Sequence, residues 1–441
     1  MARHFDTPFL SVTFGKLPVM SRYRLAPTPV QEAALAEHCR HARYVWNLAV
    51  EQYSHWKPGR KSPPGFAEQC RQLTEARAEY AWLRAGSIVV QQQAIKDFAQ
   101  AVTNFFGRTH KRPTWRRRGR HEGFRIVAVK ADDLRRLSRH VGEVRVPKVG
   151  WVRFRWSRAV PENVKSFRIT CDAVGRWFVA FAAVPEPISA PGSGEAVGVD
   201  RGVAVSVALS NGEMTNAPVF REAEKFRLLR LLRMLARAKH GSNRRGKVKK
   251  AVAKLKAREK DRRRDWVEKT STDLARRYDM IAVEDLHVSA MTRSARGSIE
   301  APGRNVRQKA GLNRGILASG WGYLLDRLEH KAPGRVVRVS PAFTSQTCNA
   351  CKHVARESRE SQALFRCVAC GLECNADVNA ARNIRDIAAG HAVNARGGDR
   401  VTGPVKREPQ LVLLSARDEV ESLPSGRGGC QVQLSTRLRH A

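Results

Sequence analysis

Cys348-Asn-Ala-Cys351, Cys367-Val-Ala-Cys370 and Asn375-Ala-Asp377-Val-Asn-Ala-Ala-Arg-Asn383 place two cysteine knuckles directly ahead of an acid-bearing segment. Each Cys-x-x-Cys pair sets two thiolates on one turn. Two such pairs fifteen residues apart have the spacing of a four-cysteine zinc ribbon. Cys348, Cys351, Cys367 and Cys370 are therefore the expected ligands of a structural zinc ion, and Cys374 and His353 are spares that a closed four-ligand site does not need. Seven residues beyond Cys370 stands Asp377, an acid whose loop such a ribbon would hold in place.

The surroundings are basic. Among 441 residues, 80 Lys and Arg face 41 acids, a formal charge of +39 that no internal pairing removes. The folded surface must carry a large positive field, and a polyanion is the expected partner. The length calls for two or three domains of about 100 to 200 residues. No apolar run approaches the roughly 18 residues of a spanning helix, so no membrane partner is expected. Nor do Asp6 and the short apolar pieces after it read as a secretory leader. Nine cysteines, an odd number with four in metal spacing, fit a reducing compartment, hence the cytoplasm, near the nucleoid. Cys39, Cys70, Cys171 and Cys430 read as isolated thiols.

Upstream, Thr28 caps a helix that starts at Pro29, with Gln31 completing a capping box. Leu35, Cys39, Ala42, Trp46, Ala49 and Tyr53 give it one apolar face ending before Lys57-Pro58-Gly59. Further helices are expected over 67–84 and 87–106. Gln91, Gln92, Gln93 and Lys96 cluster there, either as a solvated face or as amides presented to base edges. A basic, non-helical run follows, with Trp115, Arg116 and Arg117 at its centre. Strands are expected within 144–156, 167–171 and 177–184, enough for a small β-barrel on which phosphates and unstacked bases lie. Residues 185–194 read as a linker.

From Ala196 the pattern is α/β. Val197-Gly198-Val199-Asp200 and Met280-Ile-Ala-Val-Glu284 are buried-type strands ending in acids, and Val336–Val339 is a third. An apolar strand over 203–209 with an Asn211-Gly212 turn follows the first of these. Residues 221–269 are helical and hold twenty Lys or Arg against six acids, an arm suited to an anionic partner. Residues 293–314 read as a flexible loop and Trp321–Lys331 as an amphipathic helix. Asp200, Glu284 and Asp377, 84 and 93 residues apart, are the candidate catalytic acids. Carboxylates gathered by a fold repel one another, and divalent ions remove that penalty. Two Mg²⁺ ions, or Mn²⁺, would serve hydrolysis of a phosphodiester. Acids at strand ends are also common as caps and ion-pair partners, and Asp279 and Asp285 are nearby examples.

The chain resembles the TnpB family, the transposon-associated RNA-guided nucleases, together with miniature type V CRISPR effectors, from about Tyr23 to Ile384. The matching pieces are Tyr23-Arg-Leu-Ala-Pro-Thr28, Tyr44-Val-Trp-Asn47, Gly198-Val-Asp200, Val283-Glu-Asp-Leu286, Phe343-Thr-Ser-Gln-Thr-Cys348, the knuckle Cys367 to Gly371, and Asp377-Val-Asn-Ala-Ala-Arg-Asn-Ile384. The resemblance implies a multidomain α+β fold: a wedge start in 1–22, a helical recognition lobe in 23–108, and an oligonucleotide-binding-like wedge barrel in 109–190. RuvC motifs I and II with the basic arm would occupy 191–342 of an RNase H-like domain, the inserted zinc ribbon 343–374 and motif III 375–389. A structureless tail is expected in 390–441. Asp200, Glu284 and Asp377 would take the catalytic roles. Many relatives carry Asp where Asn375 stands, so the metal site here has less charge. The implied partners are a guide RNA and a double-stranded DNA target beside a short flanking motif, with Gln92, Lys96, Trp115, Arg116 and Arg117 as candidate nucleic-acid contacts. An RNA-guided DNA-binding regulator and a guide-free transposase or resolvase are the alternatives.

Overall fold

The computed structural model describes residues 22–56, 62–119, 122–161, 164–182 and 186–390. The expected N-terminal segment before Arg22, the tail after Gly390 and Cys430 lie outside them.

The chain opens with β1 (Arg22–Arg24) and α1 (Pro29–Ser54). The Thr28 hydroxyl accepts from the Gln31 N–H at 3.3 Å, and the Gln31 side chain accepts from the Thr28 N–H at 3.0 Å. That is the expected capping box, with Pro29 at the first helical position. Next come α2 (Phe66–Glu79), α3 (Ala81–Ala85) and α4 (Ile88–Phe106). The strands β2 (Gly123–Val127), β3 (Leu134–Arg136), β4 (Val141–Val146), β5 (Gly150–Arg155), β6 (Ser166–Cys171) and β7 (Trp177–Phe181) follow. They form a four-stranded sheet, β1-β7-β6-β2, and a three-stranded one, β3-β4-β5. Leu25 bridges Phe154 and joins them. Helices and sheets share one core: Leu35, Ala42, Val90 and Ile95 pack with Phe124, Phe154, Phe167 and Val179. The structure does not show a closed barrel. Among the described residues β2 pairs only with β6 and β3 only with β4, so no described strand closes the sheets at that side. The chain leaves β2 through Ala128 at positive φ and a short 3₁₀ turn, which breaks the pairing.

The second half is built on β8 (Ala196–Asp200), β9 (Val207–Leu209), β10 (Met214–Thr215), β11 (Met280–Glu284) and β12 (Val336–Val339), in the sheet order β10-β9-β8-β11-β12. β8, β11 and β12 run parallel, and β9 and β10 are antiparallel additions. The basic arm is two helices, α5 (Glu222–Arg237) and α6 (Asn243–Arg277). Their hairpin buries Leu231 against Val248, Val252 and Leu255. After β11 come α7 (Val288–Met291), α8 (Val306–Ser319) and α9 (Trp321–Lys331). A short ribbon, β13 (Leu364–Arg366) with β14 (Glu373–Asn375), leads into α10 (Ala376–Ala388).

Side-chain alternation along the central strands sorts the two faces of the sheet. Val197, Val199, Ile281 and Val283 point to α6 and α9, where they meet Val267, Leu274, Leu324 and Leu328. Gly198 and Ala282 point the other way, and these small residues let α10 lie close: a Cβ on Gly198 would fall 1.8 Å from the Ala381 carbonyl oxygen.

Two sequence expectations fail here. Only Val207–Leu209 of the run 203–209 is strand, because Gly202 and Val205 close a turn by a 3.0 Å backbone hydrogen bond. The expected loop 293–314 contains the start of α8, whose Gly and Arg content hid its helical period; Gly315 is there because Val203 packs against it.

Candidate active site

β8 and β11 are adjacent parallel strands, so their C-terminal residues Asp200 and Glu284 emerge at one edge of the sheet. α10 begins beside them. Asn375 caps it, its side-chain oxygen accepting from the N–H groups of Asp377 (3.0 Å) and Val378 (3.1 Å). Asp377 in the first turn is thereby turned towards the strand ends. All three acids line one cavity of about 250 Å³, with Thr344 and Arg359. The three candidates read from sequence thus converge. The decoys do not: Asp285 pairs with Arg338 at 3.1 Å, and Asp279 accepts from the backbone of Gly192 and Gly194.

Burial, then the charges of Glu284 and Asp377, push Asp200 up to about 8. Burial also raises Glu284, opposed by the Thr344 hydroxyl, which donates to Glu284 Oε1 at 2.7 Å. Burial raises Asp377 as well, opposed by Arg359, whose Nη2 lies 3.1 Å from its carboxylate. Three carboxyls held this way are acids short of a positive charge, which is the donor set a hard divalent cation fills.

Thr344 and Arg359 fall in segments quoted from the sequence or between them, but without roles. A further set of positioning contacts was also missed. The buried Arg201 guanidinium donates to the Glu284 carbonyl and anchors the end of β11. Asn383 Nδ2 donates to the carbonyls of Thr344 (3.0 Å) and Thr347 (2.7 Å), and Asn379 Nδ2 to Thr347 (2.7 Å). α10 therefore holds the segment that carries both Thr344 and the first cysteine knuckle. The signal available was the spacing Asp377, Asn379, Asn383, which combines an N-terminal acid with buried amides.

Cys348, Cys351, Cys367 and Cys370 bring their sulfurs within 4.8 Å of one another, and only this group reaches such spacing among the described residues. The pairs Cys348–Cys370 and Cys351–Cys367 are 3.7 and 3.5 Å apart. A tetrahedral zinc with Zn–S of about 2.3 Å requires S···S near 3.8 Å, so the four fit. Cys374 is outside the group, and the backbone carbonyl of His353 accepts from the Cys348 N–H. Burial keeps Cys39 protonated and pushes Cys171 up to about 11, as expected of packing thiols.

The expected nucleic-acid contacts lie apart from this centre. On α4 Gln92 and Lys96 are exposed one turn apart, while Gln91 and Gln93 are buried, Gln91 bonding the Leu83 carbonyl and Arg77. Trp115 and Arg117 are exposed. Arg116 is stacked on Trp46 at 3.7 Å.

Residues 21–61 match the helix-turn-helix domain of the IS605 OrfB group, 181–295 its domain described as a probable transposase, and 321–384 the Cas12f1-like TNB domain. Within 21–61 the described residues form a strand and a single helix. The chain is 37% identical over 402 residues to "Putative RNA-guided DNA endonuclease InsQ" of Escherichia coli (strain K12), covering 89% of this chain and 97% of that protein. It is 32% identical over 406 residues to "Putative RNA-guided DNA endonuclease" of Streptomyces pristinaespiralis, covering 88% and 96%. Among solved structures, a Cas12f1–sgRNA–target DNA complex overlays 81% of this chain and 82% of its own with TM-score 0.48 and 14% identity.

Proposed function

Because this chain belongs to the TnpB/IS605 family, we propose that it is an RNA-guided DNA endonuclease, which uses a guide RNA to find a double-stranded target and cuts phosphodiester bonds at the Asp200–Glu284–Asp377 cavity. The observation that carries the choice of site is the convergence of three acids, from positions far apart in sequence, on one small cavity. The sheet order and the acids at neighbouring strand ends support an RNase H-like, RuvC-type domain with the cysteine ribbon inserted before α10.

Asp200, Glu284 and Asp377 would hold Mg²⁺ or Mn²⁺, which supplies activation of the attacking water and stabilisation of the leaving oxygen. The protein's part is placement. Arg201 fixes the β11 end, Thr344 orients the Glu284 carboxylate, and the Asn375 cap points Asp377 inward. Arg359 pairs with Asp377 at 3.1 Å and balances its charge. The four cysteines would bind zinc as a scaffold, since Asn379 and Asn383 tie the ribbon's base to the helix bearing Asp377. Target sequence would be read by base pairing to the guide, with the basic surface holding backbones.

The test is to purify the chain with the RNA transcribed from its own locus and to incubate it with a plasmid matching the guide in Mg²⁺. Linearisation that requires both RNA and match supports the proposal. Cutting that persists after RNase treatment, or RNA-dependent binding with no cutting, overturns it.

A further inference from the structure

Between α1 and the four-stranded sheet lies a second cavity, of about 540 Å³, lined by Arg22, Arg112, Arg116 and Arg168. Two acids also reach it, and both are committed elsewhere. Glu122 is gripped by Arg43 through both oxygens, at 2.7 and 2.8 Å. Asp172 accepts from Arg176 Nε at 2.7 Å and from the N–H groups of Val174 and Arg176. Among the described residues, the one ion pair of the four lining arginines is Arg168 with Asp97 at 4.0 Å, a carboxylate shared with Arg125 at 3.9 Å. The other three guanidiniums lie over aromatic rings instead: Arg22 on Phe178 at 3.7 Å, Arg116 on Trp46 at 3.7 Å, Arg112 on Tyr53 at 5.3 Å.

Ring stacking fixes the planes of these guanidiniums without neutralising them. Burial, and then the like charge of Arg168, pull Arg116 down to about 10. Four like charges on a rigid frame repel, and the fold that keeps them gains from an anion in their midst. The planar fork of arginine matches two oxygens of one phosphate. The volume falls within the ~300–1,000 Å³ usual for ligand clefts.

We propose that this cleft is a phosphodiester-binding site, in which Arg112 and Arg168 grip backbone phosphates while Arg22 and Arg116, held on their rings, set the surrounding field. The proposal rests on the nucleic-acid-guided reading above and adds a defined anchoring point to it. The phosphates come either from the guide RNA or from target DNA, and the two sources are separated by salt dependence. Each phosphate contact contributes about 0.7 to the slope of log K against log salt for a single strand and about 0.9 for duplex DNA.

The experiment measures binding of the full-length chain to a fluorescein-labelled oligouridylate and, separately, to a labelled DNA duplex, between about 50 and about 200 mM salt. The Arg112→Gln/Arg168→Gln variant should lose about 1.4 of slope in the RNA arm or about 1.8 in the duplex arm. The arm that responds identifies the source. Arg112→Lys/Arg168→Lys should keep most of the slope, and Arg71→Gln, on exposed α2 away from the cleft, should leave it unchanged. If the double variant melts early, Arg112→Gln alone, on an exposed segment, should show about half the loss. Wild-type slopes in both arms for the Gln variants overturn the cleft assignment and leave the nuclease proposal standing. A wild-type protein that binds neither probe overturns both.

Discussion

Burial and two neighbouring carboxylates push Asp200 up to about 8, whereas in an unfolded chain it titrates near 3.9. A carboxyl raised by folding favours the folded state fully below its unfolded value, and that contribution is lost as pH climbs through the folded value. The metal-free protein should therefore melt at a lower temperature at pH 8 than at pH 6. Mg²⁺ should reverse the loss at pH 8, because the cation takes the place of the protons. Asp200→Asn should flatten the pH dependence and abolish the Mg²⁺ response; thermal melts at the two pH values decide it, and an unchanged response in the variant removes Asp200 from the site. Asp377→Ala should abolish cutting while leaving guided DNA binding intact, read by plasmid cleavage beside a gel-shift assay. Asp200, Glu284 and Asp377 were legible in the sequence because each ends an apolar strand or opens a helix. Thr344 and Arg359 were not, since their value lies in partners brought close only by folding: Thr344 meets Glu284 across sixty residues of chain.

At the scale of elements, the approach of α10 to β8 decides whether the acids meet. Gly198 permits it, and its Cβ in an alanine variant would sit 1.8 Å from a backbone oxygen and 2.7 Å from the Arg385 nitrogen. Neither obstacle is a flexible side chain, so Gly198→Ala should cost more than about 3 kcal/mol, at or above the upper end of ordinary overpacking. The melting temperature should fall by at least about 3 °C, at about 1 °C per kcal/mol for a chain of this length. A variant with wild-type melting and cutting would show that this contact does not hold the site. The ribbon bears on the same geometry from the other side. Zinc analysis should find one ion per chain, and Cys367→Ser should lose it, expose 343–375 to protease and stop cutting. Helix α1, the central strands and the cysteine ribbon were legible because period, cap and spacing all agree locally. The open pair of sheets and α8 were not, because edge pairing and a glycine-bearing helix packed by Val203 depend on neighbours distant in sequence.

For the whole molecule, a charge of +39 acts on stability as well as on binding. Without nucleic acid, Arg22, Arg264 and Lys260 press on one another, and burial with that repulsion holds Arg22 and Lys260 below their ordinary range. Arg176 spans Asp172 beside the open sheets and Asp261 on α6 at 2.7 and 2.5 Å, so ion pairs tie the two halves together next to this repulsion. Salt and nucleic acid should then act in opposite senses. Raising salt on the RNA-free chain screens self-repulsion and should raise its melting temperature. Bound RNA replaces that repulsion with attraction: at a hundredfold excess over Kd it adds about 2.7 kcal/mol, or roughly 3 °C for a chain of this size. Raising salt on the complex releases the RNA and should lower its melting temperature towards that of the free chain. Two melting curves against salt that converge, one rising and one falling, are the expected result. Parallel curves would mean that the positive surface is not what holds the nucleic acid.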